Sequence, residues 1–171
     1  MENLQTSAQL QFLRFQLAGE HYAFDVLKAR EVLEVVKITP LPSAMDFLSG
    51  VINLRGSVIP VVDLRKKFGL PPTENTVDTA IIIVEVINAE ETIVIGALVD
   101  AVKGVMRCEA KDLEPAPRFG MQLNTILVQS IAKVDGAFVV ILDTNQVFSE
   151  KELWLINDQA PEPVSLEKKI G

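Results

Sequence analysis

The chain has 171 residues, 49% of them hydrophobic. That is enough to bury a substantial core, and it excludes a disordered polymer. A net charge of −7 without any lysine- or arginine-rich run excludes a nucleic-acid binder.

The lone cysteine, Cys108, rules out an internal disulfide framework and fits a reducing compartment. The opening MENLQTSAQLQ lacks the basic stretch and apolar core of a signal peptide, and no apolar run reaches the length of a membrane helix. The reading is a soluble, cytoplasmic protein.

Residues 1–9 are polar and read as a loose terminus. FLRFQL, residues 12–17, alternates, with Leu13, Phe15 and Leu17 on one face and Arg14 and Gln16 on the other. AGE is a turn, and HYAFDV resumes as the second strand of a hairpin. KAREVLEVVKI, residues 28–38, has charges compatible with a helix. The β-branched density of Val32, Val35, Val36 and Ile38 favours a strand. TPLPSAMDF is a proline-bounded loop, with room for a helical turn from Ser43. GVINL and SVIPVVDL are strands joined at Arg55-Gly56, RKKFG is a turn or short helix, and LPPTENT is a linker.

TAIIIVEV and TIVIGALV then form a second hairpin. KGVMRCE resembles REVLEVV, and EPAPRF is a second proline loop. Residues 47–69 align without a gap on residues 127–149, eighty positions later. Gly56 meets Gly136, Asp63 meets Asp143, and Phe68 meets Phe148. Two tandem copies of one β-rich unit are the economical reading. Each unit is a small barrel of about five short strands, marginal alone, so the two share a core. TNQVFSEKELWL, residues 144–155, has helical spacing and closes the structure. Residues 158–171 read as a flexible terminus.

The constellations of catalysis are missing. His21 is the only histidine and reads as a surface residue on an edge strand. One histidine and one cysteine cannot make the usual zinc site, and the acids are not clustered for a carboxylate site. Cys108, in the alternating VMRCEA, reads as a buried structural thiol. No phosphate loop or dinucleotide fingerprint is present. The expectation is a non-enzyme with no cofactor and no metal.

Arg55-Gly56 is the centre of a tight hairpin, where Gly56 supplies the freedom a primed turn needs. Asn53 is placed to bond nearby backbone amides. Pro60 cannot donate to a central ladder, so its strand is an edge or carries a bulge. An edge strand beside a charged turn suits a docking partner, although a solvated arginine is the plainer account.

YAFDVLKAREVLEVVKITPLP, followed by FLSGVINLRGSVIPVVDLRKKFG, resembles the CheW family of chemotaxis coupling proteins. GALVDAV, EPAPRF and DGAFVVILD continue the likeness. The resemblance covers about residues 10–155. It implies an all-β fold of two intertwined SH3-like five-stranded barrels around a shared hydrophobic core. It implies one domain over residues 10–157, with barrels at about 10–75 and 76–157 and the exchange of strands between them open.

It also implies an adaptor that couples the regulatory domain of the histidine kinase CheA to the cytoplasmic tips of methyl-accepting chemoreceptors. Membrane association would then be only indirect, through receptors. By motif position the partner-facing residues are Glu31, Arg55, Asn53, Gly50, Val51, Ala29 and Val26, with Leu98, Val99 and Val102 in the second half. Arg65 is either a further contact or a structural ion-pair residue. The chain departs from the family pattern at Ala29, where valine is frequent, and at Ser130, where glycine commonly starts the second copy. Asp135 and Asn145 stand where the first copy has arginines. The alternatives are the same module in another sensory system, such as one controlling twitching pili, and a small-ligand-binding barrel. The CheV type, with its appended receiver, does not fit a chain ending at Gly171.

Overall fold

The computed structural model describes residues 9–42, 45–71, 74–88, 90–116 and 125–148. Among the described residues eleven strands form two sheets. The strands are β1 Leu10–Leu17, β2 Glu20–Asp25, β3 Ala29–Glu34, β4 Leu48–Leu54, β5 Ser57–Asp63 and β6 Ala80–Asn88. They continue as β7 Glu91–Val99, β8 Ala101–Cys108, β9 Leu113–Glu114, β10 Val128–Val134 and β11 Ala137–Leu142. The five-stranded sheet has the order β3-β6-β7-β5-β4, and the six-stranded sheet β8-β1-β2-β11-β10-β9.

Each sheet therefore combines a hairpin from one half of the chain with strands from the other. Hairpin β6–β7 pairs with β3 and β5 of the first half, and β1–β2 pairs with β8 and β11 of the second. These are two intertwined SH3-like barrels. The first closes where Thr39 and Val51 exchange backbone hydrogen bonds of 2.8 and 2.9 Å. The second closes at the same place through β9, where Glu114 faces Ile131.

The spacing of eighty reappears in the backbone. β4 and β10 begin and end eighty residues apart, and both carry a register shift, at Leu48/Gly50 and at Val128/Ser130. Arg55-Gly56 and Asp135-Gly136 both have positive φ at both positions, 51° and 91° in the first turn and 51° and 79° in the second. These are primed turns, whose twist matches that of the strands they join. Asn53 fulfils its expected part, its Oδ1 accepting from the Gly56 N–H at 2.8 Å. Asp63 and Asp143 each cap a one-turn helix, Leu64–Lys67 and Thr144–Val147, by accepting from the backbone N–H two residues on. The remainder of the predicted C-terminal helix, the predicted turn at Ser43, and the end of the EPAPRF loop lie outside the described residues.

Exchange of the hairpins explains the hydrophobic patterning. β6 has both faces buried: Ile81 and Ile83 fill the first barrel with Ile52, Ile59, Val61 and Leu98, while Ile82, Val84 and Val86 face the other way. A strand covered on both faces reads as a continuous apolar run, which is what IIIV is. The opposite faces meet in a shared core between the barrels, built on Leu13, Phe15, Leu17 and Phe24 from one sheet and Ile95, Ala97 and Val99 from the other. Phe15 and Phe24 lie 4.9 Å apart there, and Phe24 reaches Phe148 at 6.4 Å. A third cluster, with Phe12, Met106, Cys108 and Ile141, fills the second barrel.

Two local expectations change. β5 is flanked by β7 and β4, so it is not an edge strand; its pairing with β7 ends at Val61, just short of Pro60, and the register shift with β4 lies opposite Val61 and Val62. β2 is also interior, between β1 and β11, which leaves His21 half-buried with its Nδ1 accepting from Arg14 Nε at 3.2 Å. Burial and the neighbouring Arg14 cation hold its pKa below the usual histidine value.

Cys108 is buried as expected. Burial pushes its thiol pKa up, and the Asp112 carboxylate adds to the effect. The native thiol is therefore expected to react with a disulfide reagent at pH 8 roughly a hundredfold more slowly than in denaturant. Near-equal rates would show that the barrel opens readily. The folded thiol keeps its proton to higher pH than the unfolded one. Any stability it contributes is complete below the unfolded pKa and is lost as pH rises through the folded one.

Candidate partner-binding surface

β3 and β4 are the two ends of the five-stranded sheet, so the seam that closes the first barrel runs between them. The primed turn at the tip of β4–β5 projects Arg55 across this seam to Glu31 on β3. Nη2 donates to Glu31 Oε2 in a close ion pair, and Nη1 lies 3.4 Å from Oε1. The hydrogen bond from Arg55 holds the Glu31 carboxyl below its ordinary pKa. Both residues remain solvent-accessible, with side-chain exposures of 67% for Arg55 and 29% for Glu31. The two charges that motif position assigned to one surface are thus partners of each other. Nothing local in the sequence signals this, because barrel closure alone brings residues 24 apart together.

Val51, Gly50 and Asn53 lie along the same seam. Gly50 is buried, with φ +143°, and an added Cβ would come within 2.1 Å of the Thr39 carbonyl oxygen. It therefore sets how closely the seam's two backbones approach.

Val26 and Ala29 stand where the chain crosses from one sheet to the other, between β2 and β3. Asp25 shapes that crossing, its Oδ1 accepting from Leu27 N at 2.9 Å. The resulting 3-10 turn leaves Leu27 86% exposed. Leu27 was not among the expected contacts; the available signal was an aspartate two residues before a leucine at a strand break. Val102 follows the return crossing, at the start of β8, and like Ala29 it is partly exposed against the shared core.

The other second-half candidates lie elsewhere. Leu98 faces the interior of the first barrel, and Val99 is fully buried in the shared core. Neither presents a surface in this fold.

Arg65 is also internal, 4% exposed. Its Nε and Nη2 donate to the two Asp63 carboxylate oxygens at 2.9 and 3.0 Å, and Nη1 donates to Asp100 Oδ1 at 3.1 Å. Asp100 Oδ2 in turn accepts from the Ala18 N–H of the β1–β2 turn at 2.7 Å. The chain of bonds ties the helical turn after β5 to the exchanged hairpin of the other sheet. This geometry supports the ion-pair role for Arg65.

Among the described residues no group of three or more His, Cys, Asp or Glu side chains is arranged to hold a metal ion. Among them, too, no helix is long and apolar enough to cross a membrane.

The CheW-like domain family model matches residues 11–152. The chemotaxis protein CheW of Bacillus subtilis is 35% identical over 148 residues, covering 85% of this chain and 92% of that protein. The chemotaxis protein CheW of Klebsiella aerogenes is 33% identical over 153 residues, covering 88% of each. The crystal structure of the scaffolding protein TtCheW from Thermoanaerobacter tengcongensis superposes with a TM-score of 0.74 at 34% identity, over 85% of this chain and 91% of that one. Two hairpin-exchanged barrels, a family match over most of the length, and relatives about a third identical place this chain in the CheW-like family.

Proposed function

We propose that the chain is a non-catalytic chemotaxis scaffold that couples the regulatory domain of the kinase CheA to the cytoplasmic tips of chemoreceptors. It would work in the cytoplasm and reach the membrane only through those receptors. The observation that carries this reading is the seam of the first barrel. An accessible ion pair, Glu31–Arg55, stands on a rigid β-turn. In the same barrel, apolar groups at the sheet-to-sheet crossing, Val26, Leu27 and Ala29, are incompletely covered. A helical hairpin is recognised by an aliphatic strip with a few charges at its rim. An arginine is suited to the rim because it can transfer a bidentate bond from one carboxylate to another. Glu31 would hold Arg55 in place until a partner carboxylate competes for it.

Arg55→Glu is expected to abolish co-sedimentation with receptor fragments and the associated kinase activation. The melting temperature should move by no more than about 2 °C, because the site is on the surface. Unchanged receptor binding by this variant would sink the assignment. The same module serving another sensory output is separated by presenting kinases and receptors from that system in the same assay.

A further inference from the structure

The two exchanged hairpins are unequal in length. Val61 of β5 pairs with Gly96 of β7, and eighty residues later Ile141 of β11 pairs with Ala23 of β2. From Glu20, beside its turn, to Ala23 is three residues; from Glu91, beside its turn, to Gly96 is five. Hairpin β6–β7 therefore overhangs by two residues per strand.

β5 and β7 are parallel, but they pair only over Val61–Asp63 and Gly96–Leu98. Nearer their turns they diverge, and a cleft of about 520 Å³ opens between Val58–Pro60 on one side and Glu91–Val94 on the other. In a hairpin closed by a two-residue turn, the second residue from the turn points its N–H and C=O away from its partner strand. That places the backbone groups of Val58 on one wall of the cleft, and those of Thr92 and Val94 on the other.

The β7 wall is an unprotected edge. Thr92, Ile93, Val94 and Ile95 contain no charge, proline or bulge, the features that usually blunt a free edge. Val58 opposite is 51% exposed.

We propose that this cleft accepts an extended peptide segment of a partner protein as an added strand between β5 and β7. A helix cannot satisfy two facing sheet edges, whereas one extended chain can bond to Thr92 and Val94 on one wall and to Val58 and the Pro60 carbonyl on the other. A second copy of this chain is disfavoured, because an edge strand already paired on one side cannot bond to both walls. Glu91, exposed in the cleft lining, selects for a basic residue at one end of the segment.

The test is amide NMR of the full chain titrated with a capped hexapeptide of alternating valine and lysine. Saturable shifts and slowed exchange are expected at the Val58, Thr92 and Val94 amides. N-methylating the peptide amides that face one wall should weaken binding about tenfold. Glu91→Lys should weaken it severalfold, with the salt dependence reduced. The proposal is overturned if shifts are absent or map elsewhere. It is also overturned if those amides are already protected in the free protein. Protection growing with protein concentration would identify a second copy as the occupant, and protection independent of concentration would identify the chain itself.

Discussion

Arg65→Met is expected to cost about 3–5 kcal/mol of folding stability, the range for removing one partner of a buried ion pair. Asp63 and Arg65 are each 4% exposed, so the substitution leaves the Asp63 carboxylate inside the protein without its bidentate donor. It also releases Asp100, which bridges to the Ala18 amide of the other sheet's hairpin. For a chain of this size the melting temperature should fall by roughly 10 °C or more. The desolvated charge, rather than lost packing, is the dominant cost, and a second variant separates the two. Asn keeps the capping oxygen that accepts from the Arg65 backbone N–H but removes the charge. Asp63→Asn with Arg65→Met should therefore recover a large part of the loss. Thermal melts of the single and double variants measure this. A double variant no better than Arg65→Met would mean that the guanidinium acts mainly as a tie between the two barrels through Asp100.

That network marks how far the sequence could be read. Local features were legible because they are made by neighbours: the alternation of Leu13, Phe15 and Leu17 and the primed turn at Gly56. The register of the repeat was legible too, because Gly56, Asp63 and Phe68 recur at one spacing. Which hairpin pairs with which sheet was not legible. β1 and β6 are both apolar strands of similar length, and either could complete either barrel on composition alone. The exchange decides the fate of Leu98 and Val99. Both lie on β7, a strand of the hairpin covered on both faces, so alternation commits one side chain to each core. The pairing of Glu31 with Arg55 is a consequence of closing the barrel, so it is visible only once the seam exists. Motif position put both residues on one partner-facing surface and was silent about their contact.

The seam also yields a pair of substitutions with different expected signs at two equivalent positions. Gly50 in the first copy corresponds to Ser130 in the second. Gly50→Ser is expected to destabilise by about 3 kcal/mol or more, since φ +143° is essentially reserved for glycine and the new Cβ would overlap the Thr39 carbonyl. Relief requires parting the Thr39–Val51 bridge, which closes the barrel and positions the turn that carries Arg55. Receptor binding should therefore fall together with stability, unlike Arg55→Glu, which should lose binding alone. At Ser130 the backbone already accommodates a Cβ, and its Oγ is buried without a hydrogen-bond partner among the described residues. A buried hydroxyl left unpaired is a net cost, so Ser130→Ala should be neutral or stabilising by about 1 kcal/mol. Denaturant melts of the two variants decide the point. Equal losses at both positions would mean that the two seams are built alike; a loss at Gly50 alone would make the first seam, which carries the Glu31–Arg55 pair, the tightly set one.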